Sequence, residues 1–160
     1  MQHLTGFAPL AAQYDGFILD LWGVIHDGVS PYPGAIDCLR RLRAAGKPAV
    51  LLSNAPRRSH VAQESMRGMG IPDDLYSGIL TSGEATWMML RDRTDAFVRA
   101  LGTKVYHLGP ERDRNVMEGL NLTRVAHPAD ADFVVNTGPD DTLGPTDPEP
   151  YDPILHACLN

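Results

Sequence analysis

Cysteine is nearly absent: Cys38 and Cys158 are the only two in 160 residues. They are far apart and belong to no paired motif, which excludes a disulfide framework and a zinc site built on thiolates. Both are expected as reduced, small core residues. Long apolar runs are missing as well. No stretch approaches the ~20 residues that span a bilayer, and the first fourteen residues have neither the basic start nor the apolar core of a secretory leader. A cytoplasmic protein with no membrane partner is therefore expected. Positive charge is scarce: 14 Lys and Arg against 20 Asp and Glu leave a formal charge of -6. General affinity for nucleic acid needs clustered cations and is not expected. Arg40, Arg41 and Arg43 read as the solvated face of a helix, whereas Arg57 and Arg58 draw interest because they closely follow Ser53-Asn54. There is no Gly-x-Gly-x-x-Gly and no Gly-Lys-Ser/Thr, so dinucleotide and nucleoside triphosphate sites are unsupported. The six histidines, at positions 3, 26, 60, 107, 127 and 156, show no metal-ligand spacing.

What is present is alternation. At 43% hydrophobic the chain has enough apolar material for a core. Gly16 to Leu21 reads as a buried strand, and Pro33 opens a helix with Ile36, Leu39 and Leu42 on one side, closed by Gly46 and Pro48. Ala49 to Leu52 is a second strand. A helix after Ser59 gathers Val61, Ala62, Ser65, Met66 and Met69 before Gly70. Ile79-Leu80 is a third strand; Thr81 and Glu84 have capping-box spacing, and Ala85, Met88, Met89, Phe97 and Leu101 carry one or two helices to Gly102. Trp87 with Met88 and Met89 reads as helix packing. Further strands are expected at Lys104 to Leu108 and Asp132 to Asn136, with a helix around Glu111 to Gly119. Pro139 to Pro153 holds five prolines and five acids and is expected to be a long loop, followed by a helix from Ile154. Strands alternating with helices imply an α/β fold with a parallel, Rossmann-like sheet and right-handed crossovers. The expected division is a core over residues 1–102 and the start of a second α/β unit over 103–160.

Asp20 and Ser53 close the first two apolar runs. If these are neighbouring parallel strands, an acid and a hydroxyl emerge at the carboxyl edge of one sheet, where open α/β folds place their ligands. Alone, Asp20 reads as a strand-end acid capping a loop, and Ser53 as a turn residue. Together they suit attack on a phosphate ester. A carboxylate approaching a phosphate meets repulsion of about 4 kcal/mol per unit charge pair at 4 Å and an effective dielectric near 20, so a cation is required. Magnesium accepts carboxylates, backbone carbonyls and substrate oxygens. Asp20 and the main-chain oxygen of Trp22 are the candidate ligands, while the Gly23 amide and the Ser53 hydroxyl are candidates to hold phosphate oxygens.

The run from Asp20 to Gly28, Asp-Leu-Trp-Gly-Val-Ile-His-Asp-Gly, then Pro33-Gly34-Ala35, then Leu52-Ser53-Asn54 with Arg57-Arg58-Ser59, resembles the haloacid dehalogenase superfamily, in its NagD-like class IIA branch. The resemblance extends to Thr81-Ser82-Gly83 as the strand end before a cap domain and to Ala131 to Val135 with Gly138 as a cap strand. It implies a Rossmann-like three-layer core with an inserted α/β cap. It also implies a magnesium-dependent phosphatase of a small phosphorylated metabolite, with Asp20 as the nucleophile that becomes an aspartyl-phosphate and also binds the metal, and with Ser53, Asn54 and Gly23 positioning the phosphoryl group.

Two departures qualify what it implies. Trp22 stands where the family has a second acid, the general acid and base, so about 10²–10⁴ of rate assistance is expected to be lost, least for phosphoanhydrides, acyl phosphates and aryl phosphates. His26 or Asp27 are candidates to replace that acid, or they simply shape the turn. An aromatic residue at this position also fits a metal-free dehalogenase, and a non-catalytic member that binds a phosphorylated ligand or partner is a further alternative. The family's third and fourth motifs, a lysine and a pair of acids, follow the cap, so the chain is expected to be a piece of a longer protein cut within the cap. An exposed sheet edge would favour homo-oligomers.

Overall fold

A computed structural model describes residues 6–139 and 149–159. They form two compact units, one running to Ala55 and resuming at Ser59–Thr81, the other comprising Pro56–Arg58 and the residues from Ser82 onward.

The first unit opens with a short helix α1 (Ala8–Ala11) and strand β1 (Phe17–Asp20), followed by helix α2 (Ala35–Ala44), strand β2 (Ala49–Ser53), helix α3 (Ser59–Gly68) and strand β3 (Gly78–Thr81). The strands pair in parallel in the order β1-β2-β3, as the repeated strand-helix pattern predicts. Because the order advances one way and both crossovers share one hand, α2 and α3 must lie on the same face of the sheet. That face is the core: Leu51, Leu39, Met66 and Ile71 are fully buried and cluster with Ala49, Leu42 and Leu21. The first strand, expected to be buried, is two-faced, and so are its neighbours. Ile18 is 74% exposed, and Val50, Leu52 and Leu80 also face outward. Of the three layers expected, the sheet and one helical layer are described in this unit.

Both helices stop by the same device. Gly46 (φ 68°) and Gly70 (φ 80°) adopt the left-handed conformation, and the next amides, Lys47 and Ile71, donate back to the carbonyls of Leu42 and Met66 at 2.9 Å. This is the double hydrogen-bonded helix end that glycine permits without a Cβ clash. Cys38 packs partly against the core, and burial, followed by the Asp37 charge, pushes its thiol up. Both cysteines are free thiols.

In the second unit helix α4 (Ser82–Asp92) and the short α5 (Ala96–Ala100) precede strands β4 (Lys104–Leu108), β5 (Thr123–Arg124) and β6 (Phe133–Asn136), parallel in the order β5-β4-β6. Its core is Leu90, Val98, Val105, Val116 and Val135. Three expectations change here. Met88, Met89 and Phe97 are exposed while Leu90 and Val98 are buried, and between them the chain breaks after Asp92 and restarts where the Asp95 carboxylate caps the amides of Phe97 and Val98. The break resets the helical phase. The segment Glu111–Met117 is a 3-10 helix rather than an α-helix; Asp113 and Val116, three apart and therefore aligned in this tighter winding, are its buried pair. Finally, β5 was not anticipated. Most of the proline-rich segment, residues 140–148, lies outside the described residues, but Pro150 and Pro153 sit in a 3-10 turn (Glu149–Tyr151) and at the start of helix α6 (Asp152–Leu159), where a missing N–H costs nothing. Among the described residues no helix is long and apolar enough to cross a membrane.

Candidate active site

Parallel pairing brings the carboxyl ends of β1 and β2 together, with Asp20 beside Leu52. Ser53 is one residue further along β2 and stands beside Thr81 of β3. With strands spaced ~4.8 Å apart and rising ~3.3 Å per residue, the Cα atoms of Asp20 and Ser53 are about 6 Å apart. The two lie on opposite faces of the pleat, since Asp20 shares the outward side with Leu52. It is the common strand end, not a common face, that makes them neighbours.

Around Asp20 the backbone is tightly organised. Asp20 Oδ1 accepts the Leu21 N–H at 2.7 Å, which orients the carboxylate, and its other oxygen makes no hydrogen bond among the described residues. The Leu21 carbonyl collects the amides of Ile25 and His26 at 2.9 and 3.1 Å, winding the chain into a tight loop. In this loop the Gly23 amide does not project toward a ligand, as expected, but donates to the His26 carbonyl at 2.9 Å. What Gly23 contributes is its φ of 78°. Both main-chain groups of Trp22 are left open: neither its N–H nor its C=O makes a hydrogen bond among the described residues, and the Gly23 and Val24 carbonyls likewise accept none. The Trp22 carbonyl and amide are thus available to a ligand.

His26 and Asp27 are turn residues here rather than substitute acids. The His26 Nδ1 accepts the Gly28 N–H at 3.0 Å, and burial outweighs the attraction of Asp27 to hold its imidazole below its usual pKa. A buried ring whose Nδ1 serves as acceptor stays neutral at pH 7. Asp27 Oδ1 accepts from the Ser30 and Val29 amides at 2.7 and 2.8 Å, and these bonds pull its carboxyl below the ordinary range. Neither group stands ready with a proton. Ser53 Oγ accepts the Ala55 N–H at 3.2 Å, leaving its own O–H free to donate, and Asn54 is exposed just beyond.

The fit to magnesium is one of donor type. Asp20 and the Trp22 carbonyl are hard oxygen donors, and magnesium is commonly held by one or two carboxylates with water and substrate oxygens filling its octahedron. No cluster of three or more His, Cys, Asp or Glu that could hold a metal ion gathers among the described residues.

Arg57 and Arg58 belong to the second unit and are engaged there. Arg58 forms a bidentate pair with Glu84, Nε to Oε2 at 2.8 Å and Nη2 to Oε1 at 3.1 Å, and its amide donates to Asn115 Oδ1. Its guanidinium lies 3.6 Å from the centre of the Trp87 ring, so Trp87 packs against arginine rather than against Met88 and Met89. Arg57 Nε is 3.3 Å from Asp113 Oδ1, whose side chain is 3% exposed. Asp113 goes unremarked in the sequence, Glu84 stands out only for its capping-box spacing from Thr81, and Gly28 only as the end of the first motif. Only Gly28, in an Asp-Gly pair, carried a local sign of its role.

Comparison with known proteins places this geometry. Residues 17–123 match the family described as haloacid dehalogenase-like hydrolase. The chain is similar to rat glycerol-3-phosphate phosphatase, 30% identical over 155 residues, covering 94% of this chain and 46% of the relative. Among solved structures it is similar to a haloacid dehalogenase-like hydrolase from Brucella suis 1330 (31% identity, TM-score 0.80, 94% of this chain and 54% of that one). It also resembles NagD from E. coli K-12 (28% identity, TM-score 0.55, 76% and 45%). The chain spans about half the length of the curated relatives it matches.

Proposed function

The chain belongs to the haloacid dehalogenase-like hydrolases, in their NagD-like class IIA branch, and from that premise we propose that it derives from a magnesium-dependent phosphatase acting on a small phosphorylated metabolite. The observation that carries the proposal is the meeting of Asp20 and Ser53 at adjacent parallel strand ends beside the open main-chain groups of Trp22. In this reading the free Asp20 oxygen attacks phosphorus in line with the leaving oxygen. The Ser53 hydroxyl, the Asn54 amide and the Trp22 N–H hold the non-bridging oxygens by charge-assisted hydrogen bonds, each worth about 1.5–3 kcal/mol. Magnesium, held by Asp20 and the Trp22 carbonyl, would supply the positive charge that lets two anions approach. Water then opens the aspartyl-phosphate and returns Asp20. The relatives named for phosphatase activity support the substrate class.

The division into a core over 1–102 and a cap over 103–160 belongs to the same proposal; by packing alone, α4 and α5 group with the second unit. So does a reduced, cytoplasmic setting, which suits the two free thiols. Self-association would cover the outward face carrying Ile18 and Leu52.

The test is phosphate release from 4-nitrophenyl phosphate and acetyl phosphate by the full-length protein, with and without magnesium. Activity that requires magnesium and disappears in Asp20→Asn supports the proposal. Trp22 favours one rival, metal-free dehalogenation, and halide release in the presence of a chelator would establish that instead. Neither phosphate nor halide release, with retained binding of inorganic phosphate, would mark a non-catalytic binder.

A further inference from the structure

The chain has two tryptophans, and the fold treats them in opposite ways. Trp87 has Arg58 at 3.6 Å and Arg91 at 4.6 Å from its ring centre, and its Nε1 donates to the Glu118 carbonyl at 2.8 Å. Trp22 is 68% exposed, and its indole N–H makes no hydrogen bond among the described residues. It is nonetheless seated. Its benzo ring lies over Gly28, where a Cβ would come within 2.5 Å of two ring carbons, and the backbone there has φ 94°. The His26 ring meets it edge-on, 6.1 Å between centres at 79°. The loop therefore leaves out a side chain under the indole and holds the ring without covering it.

The ring is also beside the nucleophile. Asp20 and Trp22 are both exposed with buried Leu21 between them, so the indole is open to solvent two residues along the chain from the carboxylate. Among the described residues neither titratable side chain of this loop is free to supply a proton, since His26 Nδ1 and Asp27 Oδ1 are committed to the turn.

We propose that Trp22 is a stacking platform for an aromatic leaving group, and that the substrates turned over are aryl phosphate esters, whose leaving oxygen is phenolic, rather than phosphate esters of aliphatic alcohols. The inference rests on the phosphoryl-transfer reading of Asp20 and adds the class of leaving group. An Asp20 oxygen forms the bond to phosphorus as the ester P–O bond breaks, and that electron pair departs on the leaving oxygen with no proton supplied. In the second step water adds to phosphorus, the bond between the Asp20 oxygen and phosphorus breaks with its pair returning to the carboxylate, and of the two water protons one stays on the phosphate and the other passes to solvent. A phenolate, from an acid of pKa about 10, can depart unprotonated; an alkoxide, from an acid about as weak as water at ~15.7, cannot at any useful rate. Stacking then selects among acidic leaving groups for flat, aromatic ones.

The experiment measures kcat/KM of the full-length protein for substituted phenyl phosphates and for glycerol phosphate at one pH. The expected result is a fall of at least about tenfold from 4-nitrophenyl to phenyl phosphate and a further ~100-fold or more to glycerol phosphate, the missing acid being worth about 10²–10⁴. Trp22→Asp should raise the glycerol phosphate rate by ~100-fold or more and flatten the series. Trp22→Leu should raise KM for phenyl phosphate about three- to tenfold. Equal rates on glycerol and 4-nitrophenyl phosphate, or an unchanged KM in Trp22→Leu, would overturn the proposal. Binding to Asp20→Asn, read from tryptophan emission, separates the two readings. Phenyl phosphate should quench an emission component that is lost in Asp20→Asn/Trp22→Leu, and glycerol phosphate should not. If no ester is hydrolysed, the phosphoryl-transfer reading falls, and the quench still decides: the same response to both ligands sinks the platform.

Discussion

The two parallel sheets are built alike and end differently. At the carboxyl edge of β1-β2-β3 the polar groups are left with open valences: one Asp20 oxygen, both main-chain groups of Trp22 and the Ser53 O–H. At the corresponding edge of β5-β4-β6 they are consumed internally. His107 Nε2 pairs with Thr137 Oγ1 at 2.8 Å, and Asn136 Oδ1 takes the Gly138 amide at 2.9 Å. A strand end does not become a site because polar residues collect there. It becomes one when the loop withholds partners from them. The same contrast separates Trp22 from Trp87.

Asp20→Asn is the strongest way to test that contrast. It is expected to lower turnover at least about 10³-fold, equivalent to about 4 kcal/mol of barrier, since Asp20 is the only carboxylate in β1, β2 and β3; an unchanged rate would put the chemistry elsewhere. Next in size is a core substitution. Leu51→Ala, at a fully buried position, should destabilise the first unit by about 2–5 kcal/mol, seen as lost hydrogen-exchange protection in β1 to β3. Equal loss of protection in β4 to β6 would show that the units do not open separately. Ser53→Ala removes one charge-assisted bond and should cost about 1.5–3 kcal/mol in kcat/KM, whereas Thr137→Val, at the closed edge, should change it less than about twofold. A similar cost from both would erase the distinction between the sheets. Gly28→Ala sets a Cβ against the indole at a left-handed φ and should cost about 1–2 kcal/mol of stability, with a shift in Trp22 emission. Recovery of that stability in Gly28→Ala/Trp22→Leu would confirm the seat.

The smallest expected effect concerns pH. His26 has a lowered pKa in the fold, so as pH falls below about 6.5 the unfolded chain takes up a proton that the folded loop refuses, and stability declines toward the folded pKa. Asp27, also lowered, adds stability above the ordinary Asp range that is lost at more acid pH. An NMR titration showing His26 charging with or before the exposed histidines would contradict this.

Much of the fold was legible because it rests on local rules. Gly46 and Gly70 mark helix ends for the reason that acts in the structure, and the apolar runs ending at Asp20 and Ser53 place those residues at strand ends whatever the remainder does. The legibility failed where phase or partner depended on distant residues. Met88 and Met89 read as helix packing but face outward, and Phe97 lies beyond a break after which the Asp95 cap sets a new helical phase. Gly102 needs no unusual φ, yet a Cβ there would strike the Asp132 carboxylate at 2.1 Å, a constraint set thirty residues away. Gly23, His26 and Asp27 are legible as loop residues after Asp20, but which amide is free and which ring nitrogen is used depends on a hydrogen-bond pattern that no spacing encodes.

The amino-acid sequence by itself determined the order of strands and helices, the residue types at the strand ends and the presence of an indole at position 22, because these follow from periodicity, caps and chemistry carried within a few neighbouring residues. Only the tertiary structure decided that the Trp22 amide rather than that of Gly23 stays open, that Arg58 answers to Glu84 and Trp87, and that one sheet edge is spent while the other is not. Those outcomes turn on which donor reaches which acceptor first, and that is settled by packing in three dimensions.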